Sequence, residues 1–124
     1  QIYFQFDDPI NLRPLEMAGG VLSFDIRVLE KPTESVVLRM DCGWPCSGQM
    51  DIAPILGGDL MDDWQRLAFP MKCFTQLGVD SSKVNTPFLL ATSGSLTFEL
   101  SAVVLAETAE DASVMSCGDL VAEM

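Results

Sequence analysis

The sequence contains no histidine among its 124 residues. This absence excludes the Ser-His-Asp and Cys-His catalytic arrangements and every zinc site that uses an imidazole ligand. It also removes the side chain that most often serves as a general base near neutral pH. Any hydrolytic chemistry within this chain would therefore have to rest on carboxylates alone.

Basic residues are also scarce, since 7 Lys and Arg stand against 18 Asp and Glu, for a net charge of -11. Such a chain repels phosphate backbones and anionic lipid headgroups, so we expect neither nucleic acid nor a membrane among its partners. No apolar run approaches the roughly 18 residues of a membrane-spanning helix. The composition, 48% hydrophobic and 20% charged, is that of a chain that folds around a packed core.

The length of 124 residues suits one domain and is too short for two. The chain starts at Gln1 without Met or a secretory signal, which suggests either a mature form or a fragment of a longer protein, and we favour the fragment. We divide it into an N-terminal edge segment at residues 1–15, a sandwich at 16–105 and an acidic tail at 106–124. The tail fits either a loosely held segment or a short helix at residues 112–120.

Alternation of apolar and polar residues marks the clearest strand, in which Leu22, Phe24, Ile26 and Val28 share one face. Proline and charged residues interrupt the pattern, which resumes from Val36. A five-residue break between two such strands is typical of a loop. We therefore predict that the two strands form an antiparallel hairpin.

The remaining pattern consists of short elements separated by turn signals. An aromatic start at Tyr3, Phe4 and Phe6 predicts an edge strand. The last two strands flank a Ser-Gly-Ser sequence that favours a tight hairpin. This arrangement favours an all-β antiparallel sandwich over an α/β fold. Strands are predicted at residues 50–52, 64–69, 88–92 and 96–105, and single helical turns at 53–56 and 73–77.

Residues 42–48 cannot continue a strand, because Pro45 lacks a backbone donor and two glycines favour positive φ. We predict a loop at the edge of the sandwich, closed by a disulfide bond between Cys42 and Cys46. The closed loop would hold Trp44 at an exposed turn.

The other two cysteines, Cys73 and Cys117, lack the paired spacing of a zinc site, so a metal centre built from all four cysteines is not expected. Cys73 is interpreted as a small buried apolar side chain. Cys117 in the tail can be free.

The two tryptophans receive different interpretations. Trp44 can stack on the apolar face of a sugar ring, plug the edge of the sandwich, or contact a neighbouring domain. Trp64 opens a strand whose Leu67 and Phe69 point inward, and it is interpreted as a core side chain. Strict alternation sets Trp64 on the opposite face, so this interpretation requires a bulge or a covered second side.

The densest carboxylates are the adjacent Asp62 and Asp63 and the tail residues Glu107, Glu110 and Asp111. Cleavage of a glycosidic bond requires two carboxyl groups that face each other roughly 5 to 9.5 Å apart. Adjacent or terminal carboxylates seldom do so. We therefore expect no catalytic residue in this chain.

Four segments follow one another in an order that carries a family resemblance. In this order they resemble the C-terminal galactose-binding-like domain, named after ExoP, of bacterial exo-β-glucanases and β-glucosidases of glycoside hydrolase family 3, over about residues 16–105. The resemblance implies a jelly-roll β-sandwich that acts as a non-catalytic accessory module, because the family's catalytic residues lie in preceding domains. The segments are GGVLSFDIRV at 19–28, CGWPC at 42–46, WQRL at 64–67 with PMKCF at 70–74, and SKVNTPF at 82–88.

Jelly-roll relatives often hold a structural calcium through an Asp that enters the last strand. The corresponding region here, residues 100–103, reads Leu-Ser-Ala-Val and offers no carboxylate. The resemblance therefore supports no cofactor, and a structural calcium would lack this ligand.

The resemblance leaves two functions open. As a binding module, the chain would contact β-glucan or an oligosaccharide through Trp44, Gln49 and Asp51. As a structural module, it would pack on the catalytic domains of the same polypeptide or mediate subunit contacts. A disulfide and a glucan substrate both suit a periplasmic or secreted bacterial protein.

Overall fold

The computed structural model describes residues 1–57, 63–107 and 113–114. Its strands form two four-stranded sheets, in the orders β1-β6-β3-β4 and β7-β2-β5-β8. Every pair is antiparallel except β5 with β8. The sheets pack on one shared core, which confirms the predicted antiparallel β-sandwich. The strands are β1 (Ile2–Phe4), β2 (Val21–Glu30), β3 (Val36–Asp41), β4 (Ser47–Asp51), β5 (Trp64–Pro70), β6 (Thr86–Thr92), β7 (Thr97–Ala106) and β8 (Ser113–Val114).

Within the described residues, three short α-helices lie against the sandwich: α1 (Arg13–Met17), α2 (Ala53–Leu56) and α3 (Met71–Gln76). A 3-10 turn follows at Ser81–Lys83. The turn predicted at residues 53–56 is confirmed, and α3 begins two residues earlier than predicted, directly after Pro70. Across the described ranges, the helices are all too short to cross a membrane.

The core is built from the alternating residues of the central strands. In β2, Leu22, Phe24 and Ile26 are buried. Leu67 and Phe69 of the neighbouring strand β5 are also buried, as predicted. Burial of one such side chain stabilises the fold by about 1.5–3 kcal/mol. Inward residues of both sheets therefore supply the main stabilising contacts.

A β-bulge interrupts the pairing of β2 with the edge strand β7. Ser23 pairs with Val104 and Asp25 with Ser101, so Phe24 alone faces two residues of β7. One of these two, Ala102, has a φ of +52°. Bulges of this kind bend an edge strand and change the direction of its side chains.

The N-terminal segment is tied to the sandwich by α1. Glu16 accepts hydrogen bonds from the Ser81 hydroxyl at 2.6 Å and from the Thr75 hydroxyl at 3.0 Å. Ile10 and Val84 form an isolated antiparallel bridge nearby. β1 lies at the edge of its sheet, where the aromatic start predicted an edge strand.

Both predicted hairpins are wrong. β2 pairs with β5 and β7, whereas β3 pairs with β4 and β6, so the chain crosses between the sheets after β2. It crosses again between β6 and β7. The two crossovers lie side by side, because Thr33 N donates to Ser95 O at 3.1 Å and Ser95 N donates to Thr33 Oγ1 at 2.8 Å. The alternation of apolar and polar residues determines which face of a strand is buried but not which strand it pairs with, and this explains the error.

The tail prediction is also corrected in part. Residues 113–114 form the strand β8, which pairs in parallel with Leu67 and Ala68. A helix at residues 112–120 is therefore wrong at these two positions, and its other positions lie outside the described residues.

Candidate functional site

Residues 42–46 of the loop predicted at 42–48 form the turn of the β3–β4 hairpin. The last two predicted loop residues, Ser47 and Gly48, belong to β4 instead, so the loop ends earlier than predicted. Cys42 and Cys46 are joined by a disulfide bond with their Cα atoms 5.0 Å apart, and Cys42 N donates to Cys46 O at 2.8 Å. Gly43 has a φ of +89°, a conformation that glycine adopts without a steric penalty. Closure of so short a loop contributes at most roughly 2 kcal/mol, so its main effect is to fix the shape of the turn.

Contacts to the segment before β6 hold this turn in place. Gly43 N donates to Asn85 Oδ1 at 3.2 Å, and Asp80 N donates to Cys42 Sγ at 3.3 Å. Trp44 lies at the tip and is 84% exposed. The sandwich therefore presents a large indole surface to solvent on a cross-linked support.

Gln49 lies on the outer face of β4, where it is exposed and directly opposite Arg39. Ser47 follows the disulfide loop and precedes Gln49 by two residues on the same face, about 7 Å along the strand. Arg39 in turn forms an ion pair with Asp41 at 2.9 Å. A ligand that covers Trp44 could extend over this part of the sheet and reach the Gln49 amide.

Asp51 has a different surrounding from the other two predicted contacts. Its Oδ1 accepts hydrogen bonds from Val36 N at 3.0 Å and from Ala53 N at 2.9 Å. The first bond joins β3 to the end of β4, and the second satisfies a backbone donor at the start of α2. This carboxylate therefore fixes the local backbone.

The interpretation of Trp64 as a core side chain is wrong. Trp64 is 47% exposed, whereas Leu67 and Phe69 of the same strand are buried. The pairing of β5 with β2 runs without a register shift from Arg27–Trp64 to Val21–Pro70. Because the strand has no bulge there, strict alternation places Trp64 on the outer face.

Sequence reasoning missed an apolar cleft of about 330 Å³ between the edge strands of the two sheets. Phe4 and Phe6 line one side, and Leu100, Val103 and Leu105 line the other. Its walls come from residues almost a hundred positions apart, so no local pattern could have indicated it.

Asp80 supports the segment that carries Asn85. Its Oδ1 accepts hydrogen bonds from the Ser82 hydroxyl at 2.5 Å and from Ser82 N at 3.0 Å. These bonds hold the pKa of Asp80 below its ordinary value of 3.8, and the bond from the Ser82 hydroxyl has the larger effect. The negative charge is therefore favoured in the folded state.

Cys73 is fully buried, as predicted, but it is disulfide-bonded and does not behave as a simple apolar side chain. The prediction for Cys117 lies outside the described residues.

Two carboxylates on the β7-β2-β5 sheet form ion pairs with arginines. Asp25 bonds Arg66, and Glu99 lies 3.5 Å from Arg27. Within residues 1–57 and 63–107, no group of three or more acidic or sulfur side chains could hold a metal ion.

Comparison with known proteins identifies a matching family and a structural relative. A family model described as a galactose-binding domain-like fold, Exop_C, matches residues 1–105. An exo-1,3/1,4-beta-glucanase (EXOP) from a Pseudoalteromonas species superposes with a TM-score of 0.68 at 19% sequence identity. The match covers 92% of this chain and 14% of that one, so the chain spans a small part of the glucanase's length. No curated protein matches the chain.

Proposed function

We propose that this chain, which belongs to the Exop_C family of galactose-binding-like domains, is a non-catalytic accessory module of a glycosidase that contacts β-glucan through Trp44. The structural relative is an exo-1,3/1,4-beta-glucanase, and the matched part is a small fraction of its length. A chain without histidine, in which Asp25 pairs with Arg66 and Glu99 pairs with Arg27, suits an accessory role better than a catalytic one.

The observation that carries the carbohydrate contact is the exposure of Trp44 on a disulfide-closed turn. The face of an indole ring is negative, and the C–H bonds of a pyranose face are weakly positive, so the two surfaces attract and also bury apolar area. A turn that is already fixed loses little conformational entropy on binding. Gln49 would add hydrogen bonds to hydroxyl groups, while Asp51 would act by holding the backbone.

Affinity electrophoresis of the 124-residue chain through gels that contain laminarin or mixed-linkage β-glucan tests this proposal. We expect retardation of the wild-type chain, its loss in Trp44→Ala and partial retention in Trp44→Phe. Met17→Ala is the matched control, because it also removes an exposed apolar side chain but lies on α1. Equal migration of wild-type and Trp44→Ala chains in every gel would contradict the proposal.

A second candidate function is packing against a neighbouring domain. The edge strand β1 exposes Ile2, Tyr3 and Phe4, and Phe4 also lines the apolar cleft. An exposed edge strand of apolar side chains suits an interface. In the full-length gene product, Phe4→Ser would then lower the thermal midpoint of the whole enzyme, and Trp44→Ala would leave it unchanged.

The proposed placement is periplasmic or secreted. Cys42 and Cys46 are disulfide-bonded, and Cys73 is also in a disulfide. Such bonds persist in oxidising compartments and are rare in a bacterial cytosol. Fractionation of cells that express the full-length gene product, with blotting for this domain, tests the placement.

A further inference from the structure

The outer face of the β7-β2-β5 sheet carries two rows of side chains near Trp64. In the first row, Arg27 of β2 lies between Trp64 of β5 and Glu99 of β7. In the second row, Asp25 lies between Arg66 and Ser101. The register sets all six side chains on one face, because their positions along each strand differ by two residues.

The charges in these rows are paired with one another. Arg66 Nε donates to Asp25 Oδ1 at 2.8 Å and Arg66 Nη2 donates to Oδ2 at 3.3 Å, which is a bidentate pair. Arg27 Nη1 lies 3.5 Å from Glu99 Oε1. These two arginines and two carboxylates carry no net charge between them, and their pairing fixes the directions of their hydrogen-bonding groups. A neutral polar ligand suits this face better than an ion.

A depression of about 290 Å³ lies beside Trp64 and is lined by Asp25, Trp64, Gln65 and Arg66. This volume lies just below the roughly 300–1,000 Å³ that sites for drug-sized molecules occupy, so it suits a single small ring. A half-exposed indole forms one wall, and the paired carboxylate and guanidinium form another. An apolar ring face beside hydrogen-bonding groups matches a molecule with one apolar face and a rim of hydroxyls.

We infer that Trp64, Asp25 and Arg66 form a second carbohydrate subsite, which binds a neutral pyranose of a β-glucan. The ring stacks on the Trp64 indole, and its hydroxyls bond the edge of the Arg66–Asp25 pair. A carboxylate has about four acceptor positions, so Asp25 can accept from a sugar hydroxyl while it holds Arg66. Ser101 and Glu99, which are exposed on the same face, extend the polar surface.

This subsite is separate from the Trp44 turn. Trp64 pairs with Arg27, which lies close to the C-terminal end of β2. From this end the chain crosses to the start of β3. Trp44 follows the other end of β3, so the two tryptophans lie at opposite ends of the sandwich and on different sheets. The inference rests on the proposed function for its ligand class and on its own residues for its position.

The sequence has two tryptophans, so the ¹⁵N-labelled chain gives two indole N–H signals, which Trp44→Phe and Trp64→Phe assign. Titration with laminaritriose and with cellotriose should shift the Trp64 signal in a saturable manner, and the shift should persist in Trp44→Ala. Arg66→Lys should weaken this binding about tenfold, because lysine cannot make the bidentate pair with Asp25. Arg39→Lys, which alters an equivalent pair with Asp41 on the other sheet, should leave it unchanged.

The outcomes separate this inference from the proposed function. A shift at Trp44 alone would support the Trp44 contact and overturn the second subsite. A shift at Trp64 alone would do the reverse, and two unmoved signals in a chain with a dispersed amide spectrum would overturn both. Equal affinity of the Arg66→Lys and wild-type chains at the Trp64 signal would remove the assigned role of Arg66 and contradict the subsite as described.

Discussion

Phe24 and Phe88 meet edge to face between the two sheets, with ring centroids 5.4 Å apart and ring planes inclined at 75°. Phe24 also stacks on Phe69 of the adjacent strand at 5.6 Å. One side chain therefore contacts both layers of the core, and such aromatic pairs contribute about 0.5–1.5 kcal/mol beyond their buried area.

We expect Phe24→Ala to lower the free energy of unfolding by about 3–5 kcal/mol, because it leaves a cavity and removes both ring contacts. Urea denaturation followed by circular dichroism measures the change. Phe4→Ala is the control, since Phe4 also contacts Phe88 but is half exposed. A loss in Phe4→Ala as large as that in Phe24→Ala would argue against the assigned core.

Asp51 is expected to matter for stability and not for sugar affinity. Asp51→Ala should cost about 1–3 kcal/mol, because it leaves Val36 N and Ala53 N without their acceptor. Asp51→Asn should keep most of the stability, since both bonds end on one oxygen that an amide can replace. Urea denaturation and glucan-gel mobility of both variants check this, and lost retardation in a stable Asp51→Asn chain would restore Asp51 as a ligand contact.

Glu16 should anchor α1 through its two hydroxyl donors. Glu16→Ala should cost about 1–3 kcal/mol, because the buried Ser81 hydroxyl and the Thr75 hydroxyl lose a charged acceptor. Glu16→Gln keeps one acceptor oxygen and should cost less. Thermal unfolding measures the midpoints of both variants and of the wild type. A Glu16→Ala midpoint equal to that of the wild type would mean that the hydrogen bonds contribute little.

The pKa of Asp80 sets a pH dependence with a definite sign. Because folding lowers the pKa of Asp80, its ionised carboxylate stabilises the fold at pH values above the ordinary pKa of 3.8. This stabilisation is lost as the pH falls through the lowered pKa of the folded state. Asp80→Asn should therefore lose less stability than the wild type on acidification. Unfolding midpoints measured from neutral pH to below 3.8 test this, and Ser82→Ala should flatten the profile in the same direction.

The sequence predicted the faces of the strands better than their partners. The burial of Leu22, Phe24 and Ile26 could be predicted, because the alternation of apolar and polar residues is visible within the strand itself. The link from Val28 to Val36 looks the same in sequence whether it closes a hairpin or crosses between sheets. The long-range pairing that decides this comes from residues about forty and seventy positions further on.

The two tryptophans show the same limit at the candidate sites. The exposure of Trp44 follows from proline and glycine beside it, so the sequence could indicate it. For Trp64, residue type favoured the core while alternation favoured the outer face, and the uninterrupted register of β5 with β2 decided for alternation. The Arg66–Asp25 pair needed that register too, because its members are 41 positions apart.

The central position of β2 constrains the order in which the sandwich can assemble. Its neighbours in the sheet are β5 and β7, so a growing polypeptide cannot flank β2 on both sides until residues 97–106 have been synthesised. Ribosome-bound chains that stop before Thr97 would leave one edge of β2 open to pairing with another molecule. Synthesis of nearly the whole matched segment therefore has to precede protection of that edge.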